Sequence, residues 1–187
     1  MFDTNLIAGE PVELKDMLKA REYRQQLQQD LISRGQVPLI SFTMNIAGPV
    51  KVFPLAIMTW QEGIRLIGDY CIKEGWEIMN LTEVKEKTGY EALFSVPADP
   101  KKLKHMAVSL EDLPALGRIF DIDIIQTDGT KVSRTELGLP ERKCLICEQQ
   151  AFVCSRSRSH TVTELLERTY HIMQEYFKQT AESQNRL

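Results

Sequence analysis

The chain has 187 residues, 43% of them hydrophobic and 26% charged, with a net charge of −3 and a pI near 5.7. That length fits one domain with an ample core, and the acidic balance argues against a duplex-binding surface, so no nucleic-acid partner is expected. No apolar run approaches the roughly 20 residues that span a bilayer, and residues 1–10 lack the basic start and apolar stretch of a secretion signal. The reading is a cytoplasmic protein with no membrane partner, whose cysteines serve as thiols or metal ligands rather than disulfides.

In chain order, Leu14, Met17, Leu18, Leu27 and Leu31 recur at helical spacing and predict a helix over 13–34 closed by Gly35. Arg21 and Arg24 on it read as solvated surface. Residues 37–46 predict a buried strand ending at a Gly48-Pro49 turn, with Lys51 beyond it as a cation for an anionic ligand. Pro54 opens a second helix that Gly75 closes. Strands are predicted at 76–81 and 91–96, joined by the polar segment 82–89. Asp99-Pro100 starts a short helix that ends before Pro114. A strand over 119–125 leads into the Asp128-Gly129 hairpin and a return strand through Val132. A last helix begins behind the capping box Thr161-x-x-Glu164, with residues 179–187 expected to fray. This order predicts an α+β fold. Its sheet is predominantly antiparallel with helices packed on one face, and a helical C-terminal extension follows. The chain reads as one domain over 1–187, with the α+β core at 13–135 and a Cys/Arg-rich segment and final helix at 139–180.

The chemistry concentrates in Gly117-Arg118-Ile119-Phe120-Asp121-Ile122-Asp123-Ile124-Ile125. Strand side chains alternate faces, so Asp121 and Asp123 project together from one side while Phe120, Ile122 and Ile124 enter the core. Two like charges held a few ångströms apart favour a cation between them, and hard oxygen ligands suit Mg²⁺ completed by water and substrate phosphate. By itself a three-residue acidic motif is more often an exposed strand face. Arg118, Arg134, Arg142, Lys143, Arg156 and Arg158 follow, and several guanidinium forks on one wall would hold a polyphosphate. Cys144-x₂-Cys147-x₆-Cys154-x₅-His160 offers three thiolates and an imidazole for a structural zinc site. The spacing is not that of a standard finger, and core packing explains the cysteines equally well.

The blocks Leu-Gly-Arg-Ile-Phe-Asp-Ile-Asp-Ile, Leu-Pro-x-Arg-x-Cys-Leu-x-Cys-Glu and Cys-x-Arg-x₃-His stand in order. With Pro38–Thr43 and Gly48-Pro49-Val50-Lys51 ahead of them, the chain resembles the apo-citrate lyase phosphoribosyl-dephospho-CoA transferase (holo-citrate lyase synthase) family from about Arg21 to the last helix. The resemblance implies transfer of the prosthetic group from 2′-(5″-triphosphoribosyl)-3′-dephospho-CoA to a serine of the acyl-carrier (γ) subunit of citrate lyase, with release of pyrophosphate. The family's His-Pro-Leu-Gly-Arg is here Pro114-Ala115-Leu116-Gly117-Arg118, so that histidine is missing. The expected catalytic set is Asp121, Asp123, Arg118 and Glu111, the last as a third carboxylate that the family pattern also has. Gly117, Lys51, Arg134, Arg142 and Arg156 are expected to bind substrate, and Asp121 and Asp123 to hold Mg²⁺. Two other readings stay open: a zinc-stabilised adaptor, and a nucleotidyltransferase using an ordinary nucleoside triphosphate.

Overall fold

The computed structural model describes residues 7–184. Helix α1 (Leu14–Gly35) is followed by strand β1 (Leu39–Met44), helix α2 (Pro54–Glu74) and strands β2 (Asn80–Glu86) and β3 (Gly89–Ser95). Helix α3 (Pro100–Glu111), strand β4 (Phe120–Ile125) and helices α4 (Ala151–Ser157) and α5 (Val162–Gln184) complete the order, with 3₁₀ turns at Ala115–Arg118 and Thr135–Leu137. The four strands form one sheet in the order β2-β3-β1-β4, every neighbour antiparallel. The α+β class and the antiparallel sheet expected from the sequence are both present.

β1 is an inner strand covered on both faces, which is why Leu39, Ile40, Ser41 and Phe42 are all buried. One face carries the main core: Ile40, Phe42, Phe94, Phe120, Ile122 and Ile124 pack against Trp60 and Ile67 of α2 and Leu103 and Met106 of α3. Phe42 and Phe120 meet edge to face at 5.3 Å. α5 closes this side through Ile172 and Met173.

α1 lies alone across the opposite face. Ile32 packs on Leu39 and Ile125, and Gln28 Nε2 donates to Ser41 Oγ at 3.0 Å. Much of that face is polar, carrying Ser41, Thr43, Glu91, Asp121 and Asp123, and α1 sets Met17, Arg24 and Gln28 over it, with Leu31 and Ile32 at its apolar end. Leu14 and Leu18 of the predicted apolar stripe are 76% and 47% exposed.

β4 is an edge strand whose outward polar groups are sealed by side chains. Ile122 N–H donates to Glu111 Oε1 at 2.8 Å and its carbonyl accepts from Lys104 Nζ at 3.2 Å, both side chains belonging to α3. One residue pair on, Val132 N–H donates to the Ile124 carbonyl. The predicted return strand shrinks to one bridge between Ile125 and Lys131, made by this bond and by Gln126 N–H to the Thr130 carbonyl, because Ser133 and Arg134 turn away into the second 3₁₀ turn. The strand predicted at 76–81 lies instead at Asn80–Glu86, within the segment read as a connection. As the other edge of the sheet it exposes most of its side chains, and its polar sequence hid it. Helical hydrogen bonding in α5 persists through residue 184, beyond the predicted fraying point; 185–187 lie outside the described residues.

Candidate active site

Asp121 and Asp123 stand opposite Thr43 and Ser41 of β1 in the β4 ladder, so both carboxylates project towards α1. Asp121 opens into a cavity of about 190 Å³ lined also by Arg21 and Arg24 of α1, by Thr43 and Lys51, and by the β2–β3 turn at Thr88-Gly89. Thr43 Oγ1 donates to Asp121 Oδ2 at 3.3 Å, and Asp123 Oδ2 is held by Lys131 Nζ at 2.5 Å. Burial raises the Asp121 pKa first, and Asp123 and Glu111 raise it further, against the opposing pull of Arg142 and Thr43.

Cations face Asp121 across the cavity. Arg24 Nε is 2.7 Å from Glu91 Oε2, and this ion pair fixes its guanidinium over the sheet. Lys51 Nζ donates to the Ile46 carbonyl at 2.5 Å. Burial and then Arg21 push the Lys51 pKa down, the condition of a half-buried ammonium with a cationic neighbour. Gly48, in the left-handed region, lets the turn before Lys51 run beneath α5; a Cβ there would meet Leu166 at 2.9 Å.

Arg142 occupies the ground between β4 and the C-terminal segment. It donates to the carbonyls of Arg118 (2.7 Å) and Gly117 (3.3 Å) and lies 3.8 Å from Asp121 Oδ1 and 3.9 Å from Glu111 Oε1. Arg118 points away from the acidic pair, donating to the carbonyls of Lys143 (2.9 Å) and Cys144 (2.5 Å). Arg134 is held by Glu111 Oε2 at 2.6 Å and Asp112 Oδ1 at 3.1 Å. Glu111, 5% exposed, therefore has one oxygen on the edge of β4 and the other on Arg134. Gly117 packs its Cα against the end of α3, where a Cβ would lie 2.3 Å from the Leu110 carbonyl oxygen. Arg156 is exposed, stacked over Phe152 with 5.4 Å between its guanidinium carbon and the ring centre. Of the expected cationic residues, the structure brings Lys51 and Arg142 near Asp121, while Arg118, expected in the catalytic set, and Arg134, expected to bind substrate, brace neighbouring loops.

A second cluster forms behind this site. One ligand atom each from Cys144, Cys147, Cys154 and His160 lies within 4.8 Å of all the others, a set able to hold a metal ion. The Cys147 and Cys154 sulfurs are 3.5 Å apart, and His160 Nε2 is 3.4 Å from Cys147 Sγ. Burial works against the Cys144 thiolate, but the backbone amides of Cys147 and Ile146 aim at the sulfur and help bring its pKa to about 7. Burial and the neighbouring thiols push Cys154 up to about 11. A cavity of about 770 Å³ lies beside the cluster, lined by Arg118, Arg142, Arg158, Phe152, Leu165 and Thr169 among others.

Residues 12–176 match the family described as apo-citrate lyase phosphoribosyl-dephospho-CoA transferase. The chain belongs to that family. It is 34% identical over 163 residues to the enzyme of that name from Escherichia coli O6:K15:H31 (strain 536 / UPEC), spanning 87% of this chain and 89% of the relative. Identity to the protein of the same name from Escherichia coli O1:K1 / APEC is 35% over 157 residues, covering 84% and 86% of the two chains. The Shigella boydii serotype 18 (strain CDC 3083-94 / BS512) protein, also so named, is 34% identical over 163 residues, with coverage of 87% and 89%. From the sequence, Arg21 and Arg24, which line the cavity at Asp121, read as solvated surface. Their signal was present: two arginines one turn apart, on a helix followed by a strand that alternates Ser41 and Thr43 with apolar residues. No helix among the described residues is long and apolar enough to cross a membrane.

Proposed function

We propose that this chain transfers the phosphoribosyl-dephospho-CoA group from 2′-(5″-triphosphoribosyl)-3′-dephospho-CoA to a serine hydroxyl of the citrate lyase acyl-carrier (γ) subunit. The observation that carries this reading, given the family, is the small cavity in which Asp121 faces Arg21, Arg24 and Lys51. Carboxylates opposite crowded cations suit a ligand that is a polyanion and carries a divalent cation with it. Asp121 and Asp123 fit Mg²⁺ as hard donors whose mutual repulsion a cation would relieve. When bound there, the ion would withdraw charge from the triphosphate.

The serine oxygen attacks the α-phosphorus in line, forming the new P–O bond as the bond to the leaving pyrophosphate breaks. Asp121 accepts the serine proton, because it opens on the cavity, whereas both oxygens of Glu111 are engaged. Arg21, Arg24 and Lys51 balance the charge on the departing pyrophosphate, and Arg142 holds the Gly117-Arg118 backbone beside Asp121. Cys144, Cys147, Cys154 and His160 would hold a structural zinc in a closed three-sulfur, one-nitrogen site.

Incubation with donor, Mg²⁺ and apo carrier, followed by mass spectrometry of the carrier, tests the reading. A carrier heavier by one prosthetic group supports it. An unmodified carrier, with pyrophosphate released instead from an ordinary nucleoside triphosphate, refutes it.

A further inference from the structure

We infer that the larger cavity binds the adenosine and adjoining pyrophosphate of the donor's dephospho-CoA part, an inference that rests on the function proposed above. Three observations converge on it. The volume, about 770 Å³, falls within the roughly 300–1,000 Å³ usual for small-molecule sites. Asn45 and Ile46 line both this cavity and the smaller one that holds Asp121, so the two voids are neighbours at the end of β1. A donor whose triphosphate lies at Asp121 therefore has adjoining space for the nucleotide it is attached to.

Thr169 supplies the third. The residue lines the larger cavity and is 1% exposed, and its buried Oγ1 has no hydrogen-bond partner among the described residues. A buried hydroxyl left unpaired is costly, and a ligand polar atom in the cavity would satisfy it. The surroundings match the rest of a nucleotide. Val162, Leu165 and Phe152 give an apolar wall for a flat base, and Arg158 and Lys143 bring positive charge to the same cavity for a pyrophosphate.

The test is equilibrium binding of 3′-dephospho-CoA to the full chain, with inorganic tripolyphosphate as the second probe. Thr169→Val should weaken 3′-dephospho-CoA binding about tenfold, while tripolyphosphate affinity stays the same and the thermal midpoint holds or rises, since the substitution removes an unpaired hydroxyl. A purely structural role for Thr169 would not produce that opposition. Leu165→Trp, which fills the cavity, should abolish 3′-dephospho-CoA binding, and Arg158→Gln, a surface change that leaves the core intact, should weaken it severalfold. Wild-type affinity in Thr169→Val and Arg158→Gln, or no binding of 3′-dephospho-CoA by a wild-type enzyme that modifies its carrier, overturns the inference and leaves the function standing. Failure of the wild-type enzyme to modify the carrier strikes the function itself.

Discussion

Burial and the neighbouring Asp123 both disfavour the ionised form of Asp121, yet the proposed chemistry needs that form. A carboxyl whose folded pKa is raised gives stability that is full below the ordinary aspartate range and is lost as pH climbs through the raised value. Above that window the wild-type protein bears the cost of the charge. Asp121→Asn should then cut carrier modification by three orders of magnitude or more, about 4 kcal/mol in barrier. Its urea midpoint at pH 8 should equal or exceed that of wild type, with the difference vanishing at acid pH. Arg142 works in the opposite sense on the same carboxyl, holding its pKa down. Arg142→Gln should move the acid limb of the pH–rate profile to higher pH, measured in the residual activity. Glu111 answers a different demand. Glu111→Ala would strand the Ile122 N–H and break a buried ion pair whose Glu111 and Arg134 side chains are 5% and 12% exposed, leaving Arg134 with Asp112 alone, and should cost about 3 kcal/mol in chemical denaturation. At this scale the acidic pair was legible, because alternation in a strand dictates which side chains share a face. The partners were not: whether Arg118 or Arg24 reaches the cavity depends on how a loop and a helix lie across the sheet.

Among the elements, the segment from Arg142 to His160 has little apolar packing of its own. Its only regular structure is the two-turn α4 and a bridge between Lys143 and Gln150. The Cys/His cluster takes the place of a core there, and Arg118 anchors the segment to the rest of the protein through the Lys143 and Cys144 carbonyls. Removing metal with a strong chelator should leave the far-ultraviolet circular dichroism of the sheet and long helices nearly intact. It should also open residues 142–160 to protease and release close to one zinc per chain. Unchanged protease resistance, with no zinc released, would refute the assignment. The sequence announced this cluster through residue types alone, although its spacing matched no standard module. β2 shows the converse: an edge strand needs no apolar face, so Thr82 to Glu86 carried a loop's composition into a strand's position.

Across the whole molecule, the two faces of the sheet divide the work. α2, α3 and α5 bury the apolar face, while α1 roofs a polar face in which ionisable groups face one another. The antiparallel architecture was readable from the order of elements and their turn residues. The position of α1 was not, since a helix laid on a charged surface shows neither a clear apolar stripe nor a fully polar one. The placement of β1 bears on biosynthesis. Both strands that flank it, β3 and β4, come later in the chain. A nascent polypeptide emerging as far as residue 111 has helix α3 ready but one rim of β1 bare, and Glu111 and Lys104 have no Ile122 backbone to meet. The enzyme is thus born with its acidic strand missing and an open hydrogen-bonding rim, and the last insertion into the sheet both closes that rim and installs the carboxylates.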